Sequence, residues 1–212
     1  MKVVGDLGAV EFALKGFGTI GGRLTVEKLL ADGTLDVGKD VVVKTDGTFR
    51  GTATLLAGLL VGDLTVHGHL KVAANATVDG DGRIRGRLEV GGNLSARSLQ
   101  FDGGLEVPGV LDCPVVEGRL RHASRIGSLH SQHVRIVRAS LPSTRGSLLV
   151  IDRIEASEVE IEGVDCEYLR ADRVRLGADA HVTRLEGQVV RRHRSAYVGA
   201  RAWEPLPPGL SR

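Results

Sequence analysis

The residues that could do chemistry in this chain are few. The pair that stands out first is His67 and His69, two apart in GDLTVHGHLKV. On a strand, residues two apart share a face, so the pair could offer two imidazoles to a metal ion or one to a general base. A zinc site takes four protein ligands, or three and a water. No column of cysteine, histidine or carboxylate stands in register with the pair to complete such a set, and surface histidines are the plainer reading. His130 and His133 follow SRIGSL, His181 stands alone in GADAHVTRL, and His193 lies in RRHRS. The run GDGRIRGRLEVGG has glycines at phosphate-loop-like spacing, yet no GK[ST] follows it and no helix pattern begins there. The serines have no nucleophile context. Cys113 and Cys166 are too few and too far apart for a disulfide framework, and they read as reduced core residues. No catalytic, metal-binding or cofactor-binding residue is assigned, and no cofactor is expected.

Charge offers a second candidate. Six arginines (Arg119, Arg121, Arg125, Arg135, Arg138, Arg145) fall in a stretch with no carboxylate. Asp152, Glu155, Glu158, Glu160, Glu162, Asp165 and Glu167 then follow with Arg153 as the one basic residue among them, and Arg191, Arg192 and Arg194 cluster near the end. Such bands read first as solvated surface. As function, they could register neighbouring molecules or touch an anionic membrane face or nucleic acid. The formal charge of the chain is +2 and aromatics make up 3%. Without aromatic interleaving, base stacking is not expected, and nucleic acid is not the expected partner.

What must position these residues is a repeat. Gly16, Gly33, Gly51, Gly68, Gly86 and Gly103 are spaced 17, 18, 17, 18 and 17 apart. Neighbouring columns keep the same steps: two residues before each glycine stand Leu14, Ala31, Phe49, Val66, Ile84 and Phe101, and four after it stand Ile20, Val37, Leu55, Val72, Val90 and Val107. Each repeat holds three apolar pairs, and each pair is split by one outward residue. That is the period of a strand with one buried face. Three short strands joined by tight corners make one triangular coil, with the glycines at a corner that needs positive φ or close approach. No coil is stable alone, and stacked coils bury continuous ladders.

The predicted fold is therefore all-β, a three-sided β-helix or β-solenoid of coils of 17 to 18 residues. After about residue 114 the rhythm changes, and Val159 with Ile161 lies 15 residues before Val174 with Leu176. A single solenoid domain over residues 1–199 is expected, with a projecting loop at 140–147 and a flexible, proline-rich tail over 200–212. At the strand spacing of ~4.8 Å, about eleven coils would make a rod roughly 50 Å long. The 42% hydrophobic content supplies the core from Val, Leu, Ile and Ala, and 29 Gly against 6 Pro suits a turn-rich β protein.

GDLTVHGHLKV, GRIRGRLEVGGNLSA and SLQFDGGLEVPGVLDC resemble the bactofilins, the polymer-forming bacterial cytoskeletal proteins. The stretch SRIGSLHSQHVRIV, with EVEIEGVDCEYLRADRVRLGADAHVTRLEG, resembles the long Bacillus-type variant. The likeness spans about residues 5 to 200 and rests on the in-register repeat more than on any single motif. It implies a right-handed β-helix that assembles end to end into filaments without nucleotide, localising other proteins and catalysing nothing. Many short bactofilins carry an apolar N-terminal membrane motif. Here the first coil begins almost at once, and Met1–Val4 is short for an anchor. No window approaches the ~20 apolar residues of a membrane span, and MKVVGDLGAV has no cleavage pattern. A soluble cytoplasmic protein is expected, with the inner face of the cell membrane as a further place of contact.

A solenoid end exposes strand edges. Phe12 and Phe17 fall in the first coil, and Tyr197 and Trp203 follow the last one. They either plug the ends or supply the contact of a homopolymer. Two other readings stand beside this one. The first is a non-polymerising rod that binds a partner on its arginine band. The second is a β-helical acyltransferase-like enzyme using a histidine as base. That enzyme class coils in six-residue steps with one apolar residue each, whereas this chain has two.

Overall fold

The structure, a computed structural model, describes residues 1–139 and 149–199. The expected loop at 140–147 and the tail over 200–212 lie outside the described residues, as do Arg145 and Trp203.

The described chain is all strand and turn. The strands in order are β1 (Lys2–Val3), β2 (Leu7–Ile20), β3 (Leu24–Val37), β4 (Val41–Leu55), β5 (Leu59–Val72), β6 (Ala76–Val90) and β7 (Leu94–Asp112). They continue as β8 (Val115–Leu120), β9 (Ser124–His130), β10 (His133–Arg138), β11 (Leu149–Ile161), β12 (Val164–Leu176), β13 (His181–Arg192) and β14 (Tyr197–Val198). Every pairing is parallel, and each long strand pairs with the next one in sequence. Parallel neighbours in sequence with no crossover helix require the chain to wind round an axis. The fold is a β-solenoid of about eleven turns.

Each coil has three sides. Leu7 and Ala9 begin the first side, Phe12 and Leu14 the second, and Gly18 and Ile20 the third. The second side carries one unbroken inward ladder: Phe12, Leu29, Gly47, Leu64, Gly82, Leu99, Val116, Val134, Val159, Val174 and Val189. Most of these side chains are wholly buried in one continuous core. Each buried Val, Leu or Ile contributes about 1.5–3 kcal/mol, and the contribution exists only while the coil above and below is present.

The ladder alternates in size. Gly47 and Gly82 stand between leucines, and a Cβ at Gly82 would lie 2.9 Å from Leu99 Cδ1. Higher up, the Phe101 ring fills the space that a Cβ on Gly118 would take. Large residues on one coil are thus accommodated by glycine on the next, which keeps the stack at its spacing.

The corner glycines behave as the spacing predicts. All six have positive φ. At Gly68, with φ 127°, an added Cβ would also run into the carbonyl oxygen of Gly51 on the coil below. The 17- and 18-residue steps alternate because one extra residue enters at the corner between the first and second sides, as in Val41↔Leu59 followed by Asp46↔Asp63.

The shortening falls later than the sequence rhythm implies. Val116↔Val134 still steps by 18, and the uniform 15-residue step begins with β11 and β12. What changes near residue 114 is the corner: Gly103 pairs with Leu120, and the glycine column ends there. Between β10 and β11 the step is 25 residues, Val134↔Val159, and the two strands remain in register across it.

Candidate functional site

The two ends of the solenoid are where its internal logic stops. At the N-terminal end β1 pairs with Thr19 and Ile20 and so covers the third side. The first and second sides have no strand beyond them among the described residues. Leu7 is half-buried and Ala9 exposed, although their counterparts Leu24 and Val26 one coil in are buried. At the C-terminal end β14 pairs with His181 and Val182, again covering the third side. Leu185 is half-buried there and Val189 is 41% exposed, although Leu169 and Val174 below them are buried. Among the described residues, each end therefore has one covered side and two sides with unpaired parallel edges; apolar ladder residues are open to water on the first side at the N-terminal end, and on the first and second sides at the C-terminal end.

The aromatic candidates divide. Phe12 points to the axis and is 9% exposed, so it belongs to the core. Phe17 is 78% exposed beside the corner glycine Gly16, with Val10 (67%) on the same coil. The chain's amino terminus is tied to this corner, since the Met1 ammonium donates to the Phe17 carbonyl at 2.7 Å. Tyr197 stacks on His181, with centroids 5.5 Å apart.

The arginine band is engaged in lateral pairs. Arg121 hydrogen-bonds Asp102. Arg125 Nη2 lies 3.7 Å from Asp152, Arg135 Nε lies 3.6 Å from Glu160, and Arg138 Nη1 donates to Asp179 at 2.7 Å. Arg119 faces a shallow trough of about 320 Å³ on the second side, shared with Arg83, Arg85, Asp102 and Arg135. The acidic band follows the basic one in sequence, and coiling lays Arg125 beside Asp152 and Arg135 beside Glu160 on adjacent turns. Rung neighbours of opposite charge then meet, as cross-strand pairs do. Exposed pairs of this kind contribute little stability, about 0–1 kcal/mol each.

The opening histidines point to opposite outcomes. His67 is exposed in a column with Arg50 and Arg85. His69 Nε2 lies 3.2 Å from Glu89, which also accepts from Arg87 at 2.6 Å. Burial works against the charge on Glu89, but Arg87, His69 and Lys71 around it hold its carboxyl below the usual range. Among the described residues, no group of three or more His, Cys, Asp or Glu side chains could hold a metal ion. Cys113 and Cys166 are buried thiols pushed up by burial to about 11 and about 12.

Three devices were not read from the sequence. Asp6, Asp40, Asn75 and Asn93 accept backbone N–H groups of Arg23, Gly58, Asn93 and Val110 one coil above, at 2.7–3.1 Å. They cap the corner before the first side, and the recurring Asp or Asn just ahead of a Leu, Val or Ala is the signal that could have found them. Tyr168 lies under two guanidiniums, Arg153 at 4.8 Å and Arg184 at 5.7 Å. His181 is buried between Asp165 and Gly199. No sequence spacing marks the last two, because the residues meet only through the 15- and 16-residue steps of the final coils.

Compared with known proteins, the chain matches no family model, no curated protein and no solved structure.

Proposed function

We propose that this protein is a structural rod that assembles end to end into filaments, without nucleotide, and serves as a bactofilin-like scaffold on which other proteins are placed. The observation that carries the reading is that, among the described residues, both ends leave the strand edges of their first and second sides unpaired. An unpaired parallel edge over an open apolar core is the surface that a further coil would cover. Among the described residues, each end coil lacks on these two sides the paired neighbour that an inner coil has. A second rod supplies that neighbour, pairing the edge and burying Leu7 and Ala9, or Leu185 and Val189. The geometry alone performs this work, so no reaction is part of the proposal. The inner face of a bacterial membrane is a natural place for such a scaffold.

The alternative of a monomeric binding rod is less well supported, because four of the band's arginines already hold carboxylates of their own chain. Electron microscopy of the purified protein tests the proposal. Filaments one rod wide are expected. A charge placed on a bare end, Ala9→Asp or Val189→Asp, should abolish them while circular dichroism still reports the β-fold. Filaments that persist in both variants would place the contact elsewhere.

A further inference from the structure

His181 stands at the start of β13 with its side chain 7% exposed. Its Nδ1 lies 2.8 Å from Asp165 Oδ1 on the coil below, and its Nε2 lies 3.0 Å from the carbonyl oxygen of Gly199, just past β14. Tyr197 of β14 covers the ring, its plane tilted 22° from the imidazole. Asp165, His181 and Tyr197 are successive rungs of one column. A carbonyl oxygen only accepts, and so does an ionised carboxylate. A neutral imidazole has one N–H and one lone pair, whereas the imidazolium has two N–H donors. Both contacts are therefore hydrogen bonds at once only when both ring nitrogens carry protons.

We infer that His181 is a proton-operated clasp for the C-terminal strand. Protonated, it pairs with Asp165 through one nitrogen and ties the end of β14 through the other. On losing a proton it turns a lone pair towards one of two acceptors, and the tie to either Gly199 or Asp165 is lost. β14 is two residues long, with Tyr197 N–H donating to Ala180 O and Gly199 N–H to Val182 O, each at 2.9 Å. The charge on the ring is the condition for docking, so docking is firm while both ring nitrogens carry protons and weakens once one proton is lost. Among the described residues, the titratable groups against the ring are Asp165 and Tyr197. Asp179, in the turn before β13, and His193, in the turn before β14, meet at Ser195, whose hydroxyl accepts from the Asp179 amide at 3.0 Å and lies 2.8 Å from His193 Nδ1. Arg138 holds the Asp179 carboxylate.

The clasp's bearing on filament growth rests on the end-to-end reading, since among the described residues β14 is the strand that covers that end; the clasp itself is read locally. Ring ¹⁵N shifts of His181 and hydrogen exchange at the Tyr197 and Gly199 amides would be measured in dilute full-length protein at pH about 5.5 and about 8.5, which span ordinary histidine titration. Expected are two protonated ring nitrogens at the lower pH and a fall in protection of about tenfold or more at the higher one, after correction for intrinsic exchange. The Gly21 amide, bonded to Val3 O at the far end, should not change. His181→Gln should remove the pH dependence and His193→Gln should keep it. Asp165→Asn, which leaves the histidine in place, should weaken it. A neutral ring with both amides protected at the lower pH would overturn the inference, as would an undiminished pH response in His181→Gln. Light scattering reads assembly separately, so failure of the clasp and failure of end-to-end assembly give different results.

Discussion

A methyl group added at Gly68 would meet the carbonyl oxygen of Gly51 and hold an L side chain at φ 127°. Gly68→Ala should therefore cost about 1–3 kcal/mol. Gly58→Ala, where the nearest atoms stand 3.4 Å away and no positive φ is involved, should change stability by less than about 1 kcal/mol. Chemical denaturation of the two variants against the parent checks the contrast. The cysteines give a second prediction. In the unfolded chain a thiol ionises near pH 8.5, whereas the folded Cys113 and Cys166 hold their protons to about 11 and about 12. Above about pH 8.5 the folded state binds more protons than the unfolded one, so these groups lower stability as pH rises through that range. Below it they contribute no pH dependence. Both thiols should resist a disulfide reagent at neutral pH and react on unfolding, as an absorbance assay with and without denaturant would show. The corner glycines and buried cysteines were legible because repetition fixes them. His181 was not, because burial of an outward-column histidine depends on Tyr197 arriving from a later strand.

At the scale of an element, a coil is specified by what the next coil leaves room for. Phe101 fits because Gly118 stands above it, and a side chain at Gly118 would enter the ring's space. Gly118→Val should destabilise by about 1–3 kcal/mol through overpacking, and Phe101→Leu in the same chain should recover part of the loss. Thermal melts of the single and double variants would show whether the two positions couple. The three-sided coil itself could be read from period-two pairs at a fixed step. The place where coils shorten could not, since Val116↔Val134 keeps the 18-residue step after the glycine column has ended. The ion pairs were hidden for a related reason. Basic and acidic runs look like separate bands along the sequence, and only the register Arg135↔Glu160 or Glu158↔Arg173 shows them neutralising each other on adjacent turns.

At the scale of the whole molecule, a solenoid has no length of its own choosing: every inner coil is satisfied by two neighbours and each end coil by one. Among the described residues, both ends leave the first and second sides without a paired strand and cover the third with two residues. The assembly account rests on that symmetry of need more than on any single contact. It makes the end residues, not the arginine band or the histidines, the site of function. Imaging purified protein by electron microscopy across salt and protein concentration tests this most directly. The account predicts filaments that lengthen with concentration, need no nucleotide and disappear in Ala9→Asp. Discrete single rods at every condition would contradict it.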